Sequence, residues 1–384
     1  MIYYLLIFAI TSILAFQHIG KKRVSFSAFM TYIMLIGIFV GISDMLGGYD
    51  RYIYADAYEA LAWEVRHEGW FKEHYSLYFS HEPVFGILLS ALGAITSNRY
   101  IFILVITLIF FALFGVSIYH NMKNPFWGAL IFLGLLFFFT FAYIRQILAV
   151  SVAWMSLPYL IQRNPKKFFI IVIIATLIHN SAVYFALLYF MPLKKYHPDK
   201  ILQVMFLLLL LGFTNITSVL FLFYGESVES ASGKAQMYAT AAQHGFRIEY
   251  VIESLLFLYI LLHNYKYIGE DRRSLVLLNT YLFFCGILLM FCRSTDGGRI
   301  SWYSMIGLFA LLSKLSLKVA DVRNWSFGIC LALYLRLLIG WGIQLTPYKT
   351  FFTNGHRQGD IIYELYEYND NYDKDKFYNL WNND

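Results

Sequence analysis

The sequence predicts an all-α, polytopic integral membrane protein of about ten to thirteen transmembrane helices, and three observations carry that expectation. Charged residues are 14% of the 384, where soluble domains hold about 25%. Mean hydropathy is +0.57, and apolar stretches of span length recur along the chain. Many of the 31 Tyr stand near the ends of those stretches, as interfacial aromatic belts require. The formal charge of +6 comes mostly from short basic loops, so it does not point to nucleic acid.

Taken in order, the candidate spans are 3–17, 24–43, 84–98, 100–119, 126–143, 146–161, 168–191, 201–223, 249–263, 274–292, 300–313 and 324–345. Crossing the hydrocarbon takes about 20 apolar residues, so the shorter candidates must tilt, thin the bilayer or be half-spans. The first segment has no positive n-region and its basic flank Lys21-Lys22-Arg23 follows it, which predicts a retained span rather than a signal peptide. The basic connections Lys21–Arg23, Lys194–Lys200, Lys266–Arg273 and Lys314–Arg323 belong in the cytoplasm. Alternation then puts 44–82, 224–248, 293–299 and the tail 346–384 outside, flanking a membrane domain over 1–345.

One stretch fits in two ways. If every candidate from 84 to 191 crosses, the basic loop Gln162–Lys167 falls outside and Arg145 inside. If 168–191 is instead a pair of half-helices with His179-Asn180 at the apex, Arg145 lies outside. That second frame needs an odd number of crossings between 84 and 119. Irregular backbone at membrane depth is tolerated where it lines a protein cavity.

The loop 44–82 carries Asp44, Asp50, Asp56, Glu59, Glu64, Glu68, Glu73 and Glu82 among basic and aromatic residues, and so has the makings of a polar-substrate surface. Within it, Tyr52 to Phe71 has helical character, with Ala55, Tyr58, Ala62, Val65 and Trp70 as an apolar stripe. Such a helix lies on the membrane surface or packs on the bundle as a lid. The tail is rich in Tyr, Asn and Asp and poor in aliphatic residues, which predicts a flexible or surface-lying appendage. Cys285, Cys292 and Cys330 sit in or beside apolar spans without metal-ligand spacing and read as core. There is no internal repeat.

Four clusters carry chemistry. Gly47-Gly48-Tyr49-Asp50-Arg51 follows the second span; the glycines allow a sharp turn, and Asp50 could serve as a general base or pair with Arg51. His81-Glu82-Pro83 opens the third span, where Glu82 suits either a site or a helix start. Tyr143-Ile144-Arg145-Gln146 places an arginine between apolar spans, suited to phosphate unless it only snorkels to headgroups. His179-Asn180-Ser181 interrupts an apolar stretch. With it goes Arg293, Asp296, Arg299 and Ser301, whose two guanidiniums could clamp a diphosphate or simply pair with Asp296. Phosphate-binding glycine loops, GxSxG, HExxH and CxxC are absent, and no cytoplasmic loop could bind a nucleotide-sugar, so any sugar donor is expected to be membrane-borne.

At these residues the chain resembles the EpsG family of exopolysaccharide polymerases, themselves similar to Wzy-type O-antigen polymerases. The resemblance runs over Gly48-Tyr49-Asp50 with Tyr54, Glu82-Pro83, Ile144-Arg145-Gln146 with Leu148-Ala149, Ile178-His179-Asn180-Ser181-Ala182, and Arg299 with Tyr303. The acidic loop before a proline-started span also resembles the first outer loop of GT-C glycosyltransferases, implying a GT-C-like fold. What the resemblance implies is an enzyme of the bacterial cytoplasmic membrane that joins undecaprenyl-pyrophosphate-linked oligosaccharides at the outer face. Asp50, Glu82, Arg145 and His179 would then be catalytic, while Arg51, Tyr54, Gln146, Arg293, Arg299 and Tyr303 would bind substrate. A flippase and a chain-length regulator of the same pathway are the expected partners beside the bilayer. No cofactor is expected, although the loop's carboxylates could hold a divalent metal. The competing readings are a flippase of lipid-linked sugars and, more remotely, a membrane O-acyltransferase; the long outer loop and lack of repeats favour the polymerase.

Overall fold

The computed structural model describes residues 1–75, 81–214, 246–294, 297–355 and 375–381. Its regular elements are helices, apart from one isolated β-bridge between Ser43 and Thr350. The chain divides into two compact units, one of 1–156, 169–183 and 323–384, the other of 157–168 and 184–322. Among the described residues five helices are long and apolar enough to cross a membrane: Arg99–Asn121, Ile144–Gln162, Arg272–Met290, Gly297–Lys318 and Ala320–Gly340. Shorter apolar helices accompany them, and the protein is a polytopic membrane protein.

The first unit begins with α1 (Ile2–Gln17) and α2 (Phe26–Gly41), the latter capped by the Ser25 hydroxyl on the Ala28 amide. The loop helix α3 (Tyr49–His67) is followed by α4 (Pro83–Gly93) and α5 (Arg99–Asn121). Small residues let these helices approach: a Cβ on Gly41 would lie 2.7 Å from Leu104 Cδ1 of α5. The course of α5 fixes the frame. At its start, Asn98 donates to the carbonyls of Lys376 and Tyr378, and Tyr58 of α3 reaches the Thr96 carbonyl at 2.5 Å. At its other end, Tyr119 donates to the Val24 carbonyl beside the basic Lys21–Arg23 turn. One crossing therefore joins the acidic loop to the basic side.

The expected span 84–98 is not one. Its helix, α4, has 11 residues, about 16 Å, roughly half the hydrocarbon thickness. It runs alongside α3 in the same direction: Tyr54 meets Phe85 at 6.4 Å between ring centroids, and Gly93 abuts Ala62. Of the helices described between 84 and 119, α5 alone is long and apolar enough to cross a membrane. The return path is α6 (Pro125–Leu135) and α7 (Phe139–Ala142), which break the expected 126–143 span before α8 (Ile144–Trp154).

The stretch 168–191 is a hairpin of half-helices. A helix over Pro165–Ile178, α10, follows the short α9 (Leu157–Gln162) and ends at His179, where a 3₁₀ helix takes over across Asn180–Phe190. The chain doubles back there: Phe168 stands 6.1 Å from Phe185 and 5.5 Å from Tyr189, and Arg163 donates to the Met191 carbonyl. Fourteen α-residues rise about 21 Å and eleven 3₁₀ residues about 22 Å, so the arms match.

The loop helix begins earlier than expected and buries Ala55, Tyr58, Ala62 and Val65 against its neighbours, while Trp70 lies beyond its end and is exposed. The described parts of the tail are docked, not loose. The Asp44 amide donates to the Lys349 carbonyl, Phe351 is buried, and Lys376, 2% exposed, pairs with buried Asp44. Composition concealed this because the anchors are a lysine and aromatic rings, not aliphatic residues. The second unit holds α11 (Pro198–Phe213), α12 (Ile248–His263), α13 (Arg272–Met290), the 3₁₀ segment Gly297–Ser304 and α14 (Met305–Lys318). Of the expected loop 224–248, residues 224–245 lie outside the described residues, as do residues 215–223 of the expected span 201–223.

Lys376→Met strands the buried Asp44 carboxylate, and removing one partner of a buried pair costs about 3–5 kcal/mol. Heat-induced unfolding in detergent should therefore drop sharply for this variant. Asp44→Asn added to Lys376→Met should restore much of the loss, and an equal loss in the double variant would show the tail anchor to be something else.

Candidate functional site

The acidic loop enters α3 through Gly47 and Gly48, with φ of 115° and 99°, a region open to glycine. The turn is tight because Gly47 donates to the Gln344 carbonyl at 2.9 Å and rests on Phe141. Its job is to bring Arg51 under the turn. Arg51 is fully buried and donates to Ser43 Oγ at 2.6 Å, the Leu46 carbonyl at 2.8 Å and the Val40 carbonyl at 3.1 Å. Burial pulls its pKa down to about 10, opposed by the nearby Asp44 charge. The structure thus gives Arg51 a different task from the expected substrate binding: it ties the Val40 carbonyl at the end of α2 to Ser43 and to the Leu46 carbonyl of the following turn. It does not pair with Asp50 in the bonds that hold it.

Asp50 and Tyr54 follow one turn apart on α3. Asp50 lies in the first turn, where a carboxylate meets the positive end of the helix, and is half-buried. Burial raises the Tyr54 pKa, Arg145 opposes the rise, and Asp50 and Glu82 add to it, so all four groups share one electrostatic neighbourhood. The Arg145 guanidinium carbon lies 5.7 Å from the centre of the Tyr54 ring.

Glu82 separates the two readings its sequence context left open. Pro83 takes the first helical position of α4, yet the Glu82 carboxylate makes no cap bond to that helix. Instead Oε2 pairs with Arg145 Nη1, and Oε1 accepts from the Asn180 amide at 3.0 Å. Glu82 is 6% exposed, so its charge is compensated from two directions. Arg145 sits in the first turn of α8, with its side chain 17% exposed. Its contact with a loop residue settles which end of the bundle it occupies: the one bearing the acidic loop.

The hairpin apex completes the group. The Ser181 amide donates to His179 Nδ1 at 3.3 Å, and an amide can only donate, so the neutral ring carries its proton on Nε2. Ser181 Oγ is 2.8 Å from the same Nδ1 and receives Gln146 Nε2 at 3.4 Å. Gln146, expected to bind substrate, therefore braces the apex. The structure thus brings Asp50, Tyr54, Glu82, Arg145, Gln146 and His179 to one place. Arg293, Arg299 and Tyr303 belong to the second unit: Arg293 donates to the Phe213 carbonyl at 3.3 Å, and Tyr303 is buried in the 3₁₀ segment. Asp296 lies outside the described residues.

Two participants escaped sequence reasoning. The Asn180 amide holds Glu82 only because α10 stops at His179 and frees that donor. Arg99, 7% exposed, donates to Glu59 at 2.6 Å and to the Tyr378 hydroxyl at 3.0 Å, binding loop helix and tail together. The Asn98-Arg99 start of a span was the available signal. Among the described residues no three His, Cys, Asp or Glu side chains cluster to hold a metal.

The family model of EpsG matches residues 22–352, a stretch that contains every one of these site residues. The chain belongs to the EpsG family. EpsG proteins are Wzy-like exopolysaccharide polymerases, which makes a role in polysaccharide polymerisation the general assignment. No curated protein and no solved structure matches the chain.

Lysine in place of Arg51 keeps one charge but cannot reach three acceptors in the same fork. Arg51→Lys should lower the folded yield and the unfolding temperature in detergent, by about 1–3 kcal/mol for the bonds lost. Activity per folded molecule should stay within about twofold, measured as polymer made per purified, monodisperse protein. A selective loss of activity at unchanged stability would return Arg51 to the binding surface.

Proposed function

We propose that this protein joins oligosaccharide repeats carried on undecaprenyl pyrophosphate, acting at the outer face of the bacterial cytoplasmic membrane. The observation that supports this most is a guanidinium, Arg145, presented at the acidic-loop end of the bundle by Glu82 and Tyr54, beneath a re-entrant apex. A pyrophosphate leaves readily when its developing charge is met by pre-placed donors in a water-poor site. The planar guanidinium suits two phosphate oxygens at once. Positive-inside reasoning puts the acidic-loop end of the bundle opposite the basic connections, on the side that receives flipped lipid-linked repeats.

In this reading the acceptor sugar hydroxyl attacks the anomeric carbon of the donor. The carbon–oxygen bond to the pyrophosphate breaks, and the lipid pyrophosphate departs with its negative charge against Arg145. The hydroxyl proton passes to Asp50. Asp50 suits that part better than Glu82, because both Glu82 oxygens are already engaged, one by the Arg145 guanidinium and one by the Asn180 amide. Glu82 is then a positioning residue for Arg145. His179, with Nδ1 committed to Ser181, contributes from Nε2 by orienting substrate oxygens.

The test is the size distribution of lipid-linked and surface glycans in a deletion strain complemented with variants. Asp50→Asn should cut polymer by about 10² or more and leave single repeats on lipid at the outer face. Arg145→Lys should lose about tenfold or more despite its retained charge. Glu82→Gln should fall between these and wild type. Normal chain lengths from Asp50→Asn would remove it from the mechanism, and repeats trapped in the inner leaflet of the deletion strain would make the protein a flippase.

A further inference from the structure

The second unit holds a cavity of about 420 Å³ between α11 and α13, far along the chain from the proposed site residues of the first. Its walls are Met205 and Leu208 on one helix and Leu282, Gly286, Ile287 and Met290 on the other. It is open along α11, where Val204 is 48% exposed. The groove exists because Gly286 has no side chain: a Cβ there would already lie 2.9 Å from Leu208 Cδ1.

One end of the groove is polar and basic. Tyr196, Lys200 and Asn279 line it there. Lys194 and Lys200 bracket the Tyr196 ring, their ammonium groups 5.9 and 5.8 Å from its centre. The Tyr196 carbonyl is fixed by the Tyr265 hydroxyl at 2.7 Å, and Asn279 donates to the Pro192 carbonyl at 3.0 Å, so the rim is built rather than loose. Lys200 also stands in the first turn of α11 and is exposed, so its ammonium is available at the groove's rim. The acidic group nearest in sequence, Asp199, points to His197 at 3.1 Å.

Length agrees with charge. From Asn279 to Met290 the wall rises about 16 Å, half of the roughly 30 Å hydrocarbon core. A single acyl chain fills one leaflet to that depth. The basic rim falls in the Lys194–Lys200 connection, on the cytoplasmic side by the positive-inside rule. Basic pockets between helices at that surface select anionic headgroups.

We propose that this groove is a binding site for an anionic phospholipid of the cytoplasmic leaflet, with one acyl chain between α11 and α13 and its phosphate at Lys194 and Lys200. The site is separate from the polymerase reading and stands or falls without it. Native mass spectrometry of the purified full chain, equilibrated with phosphatidylglycerol or phosphatidylcholine of matched acyl chains, tests it. Phosphatidylglycerol should be retained preferentially. Lys200→Gln should weaken that retention about fivefold, and Lys200→Arg should preserve it. Gly286→Leu, which fills the groove, should abolish retention of the bound lipid while the protein still elutes as a single species. Equal retention of the two headgroups, or Lys200→Gln behaving like wild type, would overturn the proposal. Should Gly286→Leu fail to fold, the Lys200 pair alone decides, because that side chain is exposed.

Discussion

A guanidinium at the edge of a membrane core must be matched by acceptors or it will not stay, and this requirement organises the first unit. Arg51, Arg99 and Arg145 are each answered differently. Arg51 is satisfied by the Ser43 hydroxyl, the Val40 carbonyl at the end of α2 and the Leu46 carbonyl of the next turn, and serves as a clamp. Arg99 is answered by Glu59 and Tyr378 and ties the tail to the loop helix. Arg145 is answered by one carboxylate that is itself held from a second direction by a backbone amide. Arg145 is also the one of the three that lies beside Tyr54 and the re-entrant apex, where the other candidate site residues gather.

The hairpin follows from the same requirement. A helix running unbroken through 179–180 would bond the Asn180 amide to a carbonyl four residues earlier, and Glu82 would lose that donor. Ending α10 at His179 releases the amide, and the 3₁₀ arm carries the chain back so that both ends of the hairpin reach basic segments. Arg163, Lys166 and Lys167 precede it, and Lys194 and Lys195 follow it. A re-entrant path is therefore what the positive-inside rule and the Glu82 amide bond jointly demand.

Much of this was legible in the sequence because the signals are local. Gly47-Gly48, Glu82-Pro83, Arg145-Gln146 and His179-Asn180 are each short, polar interruptions of apolar runs, and the structure gathers their side chains or amides. The two half-helix arms were one of two readings, and hydropathy could not choose between them because α10 and its 3₁₀ return are equally apolar. The shortness of α4 was hidden for a related reason: Ala94 and Ile95 extend the apolar run, but the helix has ended by then and the Thr96 carbonyl is held by Tyr58. Arg51 was misjudged because a buried arginine and a ligand-binding arginine have the same sequence surroundings beside a glycine turn. The tail was misjudged because its anchoring depends on Asp44, more than three hundred residues away, and no window of sequence contains both.

The contrast between Asp50 and Glu82 has a physical basis that extends beyond this pair. A carboxylate already bonded to a cation and an amide is fixed in place from both sides, so it is suited to orienting its partner. Asp50 lies one helical turn from Tyr54, in the first turn of α3, where the helix start favours its charge. Under the proposed mechanism one acid holds the leaving-group cation in place while the other accepts the proton, so neither has to do both. In the proposed mechanism the buried Glu82–Arg145 pair is the fixed electrode against which the reaction runs, and Asp50 is the proton acceptor.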